Sequence, residues 1–379
     1  MSAKRRKLPG AATAVFAPQA VADHPLNIAQ FRAWRVKEPV SNRRYTVICL
    51  KSQGGTSGYG EGGPALAAEI EAARAAVIGR RATESELIRA ALRQSPSMEA
   101  AVNNAMLDLV SRTKNVPIYR YLGGPVRYKA RILAHLEGKT AAEAGPSLER
   151  AKRQGFQAFT TAAAVRDAMI PLRAYVDSVR KHMADMQAMA GPSAEWVVDG
   201  QGAMTPGDAA SVAVALEPLH PIWFDEPTGV ITRDALAKIV DESVMPIGLG
   251  RSITDIVGFQ GLLASGSVNI VRPDLGLNSL AKIKRVAAIA ETHYTAIAPF
   301  HNGGPIGALA GIHLNAALIH AYAQQIPVPA SDRDAAMRAE ITSGLKETGE
   351  KGFFALINRP GLGIEVNERA LDAYSEERI

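Results

Sequence analysis

A chain of 379 residues is longer than one average domain, and at 47% hydrophobic and 21% charged it has the composition of a globular protein able to bury a large core. The formal charge of +6 and the isoelectric point near 9.4 come from dispersed Lys and Arg; Lys4-Arg5-Arg6-Lys7 is the one basic run, and without aromatic-basic interleaving this argues against a nucleic-acid partner. No stretch nears the roughly 18–20 uninterrupted apolar residues of a membrane span, and the single cysteine, Cys49, excludes an intrachain disulfide.

Residues 1–22 do not read as fold. The basic run precedes a weakly apolar Gly/Ala/Thr stretch, and Ala20-Val21-Ala22 offers small residues where a signal peptidase cleaves. This resembles a twin-arginine export signal, which would put the mature chain outside the cytoplasm; the other reading is a disordered basic arm. From Leu26 to Glu61 two strand-like runs, 31–36 and 44–50, are followed by a Gly-rich turn, residues 54–61. Cys49 lies in the second run and reads as a buried strand residue. Three helical segments come next. The third shows Met98, Val102, Ala105, Met106, Leu109 and Val110 at helical spacing, with Ser97 as a candidate N-cap.

Strands are expected at 131–136, where His135 near the end reads as a structural or a site residue, and at 155–162. Four apolar runs then end in polar residues: Trp196-Val197-Val198-Asp199, Ile222-Trp223-Phe224-Asp225-Glu226-Pro227, Pro246-Ile247-Gly248-Leu249-Gly250-Arg251 and Val268-Asn269-Ile270-Val271-Arg272-Pro273-Asp274. A fifth, Ala296-Ile297-Ala298-Pro299-Phe300-His301, follows at the same interval of roughly 25 residues, room for one strand, one helix and two short loops. That is the rhythm of a (β/α) barrel, in which every strand aims its C-terminal end at one face. Asp199, Glu226, Arg251, Asp274 and His301 are therefore expected to be neighbours.

This stretch resembles the mandelate racemase/muconate lactonizing enzyme family of the enolase superfamily, which removes a proton beside a carboxylate and holds the enediolate on Mg²⁺. The resemblance implies an α/β fold: a modified (β/α)8-type TIM barrel, about 129–345, under an α+β N-terminal capping domain, 26–128, completed by about 346–379. Gly60-Glu61, Pro117 to Gly124 and Pro360 to Asn367 resemble the family's cap turn, its crossing into the barrel and its return to the cap. By position, Asp199 and Glu226 match metal ligands and Asp274 with His301 a catalytic dyad. Arg251 departs from the family, which has a glutamate there, and Thr160 and Ala162 stand where many members carry Lys-x-Lys. Lys282-Ile283-Lys284 has those letters but falls in an outer helix, 281–292. Gln325 matches a strand-eight position that hydrogen-bonds the enediolate.

A hard cation needs oxygen ligands, so Asp199 and Glu226 would hold Mg²⁺ with Gln201 or waters completing its shell. Arg251 opens two other readings: its guanidinium sits where the metal would be, paired with Asp199 and Glu226, or it turns outward to a substrate carboxylate. A carboxylate beside an imidazole fixes its tautomer and raises its basicity, which suits His301 and Asp274 to acid/base work. With no lysine on the opposite face, the expected protein is a lyase or isomerase acting on a hydroxy or sugar carboxylate, dehydration being favoured over racemisation and cycloisomerisation staying open, with specificity in the cap loops near 36–43 and 54–58. The rival is a non-catalytic carboxylate-binding protein on the same barrel. The resemblance also implies a homo-oligomer.

Overall fold

The computed structural model describes residues 24–378 except 139 and 346; the proposed export signal or basic arm, 1–22, lies outside the described residues. Strands β1 (Ile28–Lys37), β2 (Arg44–Ser52) and β3 (Ser57–Gly62) form an antiparallel meander. The Gly-rich segment expected as a turn is thus mostly strand. Its alternation explains why: Gly58, Gly60 and Gly62 share one face, and a Cβ at Gly60 would lie 2.1 Å from the Ala101 carbonyl oxygen of the helix Pro96–Thr113. Glycine lets that helix lie directly on the sheet. Met98, Val102, Ala105, Met106 and Leu109 fill the interface, and the helix starts at Pro96 with Ser95 before it, two residues ahead of the expected Ser97.

The barrel follows as β4 (Lys129–His135), β5 (Ala158–Ala162), β6 (Glu195–Asp199), β7 (Trp223–Asp225), β8 (Ile247–Leu249), β9 (Ile270–Val271), β10 (Ala296–Ile297) and β11 (Gln324–Pro327). Each pairs in parallel with the next from β4 to β10, and β11 pairs with β4. An Ile297–Ala321 bridge and the Tyr322 N–H to Ile297 carbonyl bond, 2.8 Å, join the remaining sides. Late in the chain, β12 (Phe353–Ala355) pairs antiparallel with the start of β4, and β13 (Ser375–Arg378) pairs with β1 in the cap sheet.

Cap and barrel are joined by buried charges. Lys282, on the outer helix Leu280–Thr292, pairs with Glu99 of the cap helix. The loop after β1 is tied down: Asp334 accepts the Val40 and Ser41 N–H groups at 2.8 and 2.9 Å, and the fully buried Glu38 pairs with Arg43 and Arg338. Among the described residues no helix is long and apolar enough to cross a membrane.

Candidate active site

Strand alternation decides which side chains enter the barrel. Leu133, Ala158, Val197, Trp223, Ile270, Ala298 and Ala323, each from or beside a different strand, form one apolar cluster that marks the lumen. Two residues further along come His135, Thr160, Asp199, Asp225, Arg272, Phe300 and Gln325, the next layer at the C-terminal mouth. Gly248 supplies room on β8, since a Cβ there would lie 2.7 Å from Asp225 Oδ1.

Asp199 and Asp225 are register partners on β6 and β7. Arg251 enters between them from the loop after β8: Nη1 donates to Asp199 Oδ2 at 2.8 Å and Nη2 to Asp225 Oδ2. Arg272, fully buried, donates from Nε to Asp225 Oδ1 at 2.9 Å and from Nη2 to Gln325 Oε1. Phe300 lies over Arg251, its ring centre 4.2 Å from the guanidinium carbon. Burial raises the Asp199 carboxyl, with Arg251 opposing; at Asp225 burial also acts upward, but Arg251 and Arg272 outweigh it and hold the carboxyl below its ordinary range. Two anions and two cations thus satisfy one another, which is what makes their burial tolerable.

The geometry corrects three expectations. Glu226 is not a lumen ligand: at φ +41° its chain turns out of the strand, and Oε1 accepts the Gly250 and Arg251 N–H groups at 2.8 and 2.9 Å, holding the loop after β8. Burial, helped by Asp225, pushes its carboxyl up to about 7. The Arg251 guanidinium therefore pairs with Asp199 and Asp225, and only the residue's backbone N–H meets the Glu226 side chain. Lastly, no hydrogen bond joins His301 to Asp274, because consecutive residues point to opposite sides and Phe300 takes the lumen. His301 lies between barrel and cap, 1% exposed, with Nε2 2.8 Å from the Gly304 carbonyl oxygen and 3.6 Å from Glu61 Oε1. Burial pushes its imidazole down to about 3.

Asp274 does reach the mouth, following Ile270 and Arg272 at intervals of two. Oδ1 accepts the Gly276 N–H at 2.7 Å, and burial raises the carboxyl to about 6. Thr160 is buried in the lumen wall, while Gln325 is engaged by Arg272. Gln201 sits at the rim, its backbone N–H on Asp199 Oδ1 at 2.8 Å and its side chain on the Ala163 carbonyl oxygen at 2.9 Å. Asp225, Arg272 and Phe300 were missed as site residues, although counting by twos from Trp223, Ile270 and Ala298 reaches all three.

These residues do not fit Mg²⁺. An octahedral ion asks for several free oxygens at about 2.0–2.1 Å, whereas Asp199 and Asp225 both bind guanidinium groups and Glu226 faces backbone N–H donors. Among the described residues no group of three His, Cys, Asp or Glu side chains is placed to hold a metal.

The sequence profile of the "Enolase C-terminal domain-like" family matches residues 142–370. The chain is 27% identical over 271 residues to a D-galactonate dehydratase from Verminephrobacter eiseniae, 71% of each, and 26% identical to another from Pectobacterium atrosepticum with the same coverage. A mandelate racemase/muconate lactonizing enzyme-like protein from Rubrobacter xylanophilus superposes with a TM-score of 0.82 at 22% identity, covering 93% of this chain and 98% of that one. A mandelate racemase/muconate lactonizing enzyme from Jannaschia sp. gives 0.80 at 20% identity, covering 93% and 98%. Capped barrel, family profile and structural neighbours agree: the chain belongs to the mandelate racemase/muconate lactonizing enzyme family of the enolase superfamily.

Proposed function

We propose that this protein is a metal-independent relative of the acid-sugar dehydratases, in which Arg251 stabilises the negative charge of a hydroxy or sugar carboxylate and Asp274 moves its proton. The observation that carries this reading is the placement of the Arg251 guanidinium between Asp199 and Asp225. A proton beside a carboxylate leaves only if the resulting enediolate is stabilised, and fixed positive charge at a water-poor site does this without an ion. Asp274, raised to about 6, is ionised near neutral pH yet basic enough to accept the proton from C2. The same carboxyl would then protonate the departing C3 hydroxyl, releasing water and leaving an enol that becomes the 2-keto-3-deoxy acid. The galactonate dehydratases among the relatives support the lyase class, not a particular substrate.

A second reading, a non-catalytic carboxylate-binding protein, is favoured by Phe300 over Arg251 and by His301, whose Nε2 is taken up by the Gly304 carbonyl oxygen. EDTA-treated protein incubated with a panel of aldonates in D₂O separates the two. Deuterium at C2, or a 2-keto-3-deoxy product, is expected to form without metal, to survive His301→Asn, and to fall at least ~100-fold in Asp274→Asn. Exchange that requires Mg²⁺, or that persists in Asp274→Asn, removes the first reading. Binding without exchange establishes the second.

A further inference from the structure

Three buried polar atoms at the barrel mouth have no hydrogen-bond partner among the described residues: His135 Nδ1, Thr160 Oγ1 and Arg251 Nε. Each belongs to a side chain at the barrel mouth, where an unmade hydrogen bond is costly. His135 and Thr160 are register partners on β4 and β5. His135 and Arg251 share Phe300, whose ring meets the imidazole edge-on at 6.3 Å and the guanidinium face-on at 4.2 Å. Arg251 Nε can only donate, the Thr160 hydroxyl can donate, and a neutral imidazole donates from Nδ1 in one of its tautomers. Their common complement is an acceptor oxygen. Burial, then the nearby Arg251, pushes the His135 imidazole down to about 4, so the ring meets a ligand uncharged, suited to donating a hydrogen bond rather than to taking a proton.

We propose that His135, Thr160 and Arg251 form an oxyanion pocket that receives one carboxylate oxygen of the ligand, an inference that rests on the carboxylate-handling function proposed above. In an enediolate that oxygen carries the growing charge, and buried hydrogen-bond donors beside it stabilise it where it develops. His135 is then an electrophilic partner of the reaction and Asp274 its proton carrier. This assigns to β4 and β5 a part of the site that the carboxylates of β6 and β7 do not supply.

The test titrates formate, the smallest carboxylate, into protein carrying ¹⁵N-histidine. The His135 Nδ1 resonance is expected to move saturably, with His301 and His313 unmoved. His135→Phe and Thr160→Val should each weaken formate binding about tenfold or more, and Thr160→Ser should restore it. An unmoved His135 resonance, or a crystal soaked in formate with only water beside Thr160 Oγ1, overturns the pocket whether or not the variants fold. Formate bound there while no aldonate exchanges deuterium keeps the pocket and rejects the dehydratase reading. Unaltered aldonate exchange in Thr160→Val and His135→Phe keeps that reading and rejects the pocket.

Discussion

Arg251 is the residue on which the mouth depends. Burial works against its charge, but Asp225, Asp199 and Glu226 more than offset that and raise its pKa. Removing one partner of a buried ion network leaves the others uncompensated, so Arg251→Ala should lose about 3–5 kcal/mol in urea unfolding. The same change frees Asp199 Oδ2 and leaves Asp225 Oδ2 only the longer contact to Arg272 Nε, 3.2 Å. Mg²⁺ is therefore expected to raise the melting temperature of Arg251→Ala and to leave that of the wild type unchanged; an Mg²⁺-dependent rise in the wild type would contradict the pairing.

The order of elements was legible because regular spacing marks strand ends, and Asp199, Arg251, Asp274 and Thr160 all lie in or at the mouth. What spacing alone did not fix is parity. Strands β9 and β10 have two residues each, too few to display an alternation, so Phe300 and His301 looked equally able to face inward. At Asp225-Glu226 the same ambiguity hid a left-handed turn that no propensity predicts for glutamate. Element contacts also explain how the cap is held. Asp334, N-capped by Ser331 at the start of its helix, grips the loop between β1 and β2 through two backbone N–H groups. Asp334→Ala should cost about 1–3 kcal/mol and speed proteolysis between Val40 and Asn42, read by limited digestion. An unchanged cleavage rate would mean that Arg43 and Arg338 hold the loop alone.

For the molecule as a whole, acid sensitivity follows from buried imidazoles. Burial pushes His135 and His313 down to about 4 and His301 to about 3. The unfolded chain takes up these protons near pH 6.5 and the folded protein does not, so this contribution is complete above about 6.5 and is lost as pH falls through 4 to 3. Glu61 and Glu226, both raised to about 7, act oppositely: their contribution is complete below about 4.5 and lost as pH rises through 7. His313 isolates the first effect, since it contacts Tyr119 and the Leu362 carbonyl oxygen and no carboxylate shifts it. His313→Gln should be less stable at pH 7 but show a flatter decline from pH 6.5 to 4 in thermal melts. At the mouth, the cation between Asp199 and Asp225 is part of the polypeptide. It cannot be chelated, diluted or exchanged for a competing ion, so every folded copy carries its charge from synthesis onward, whatever the magnesium content of its surroundings.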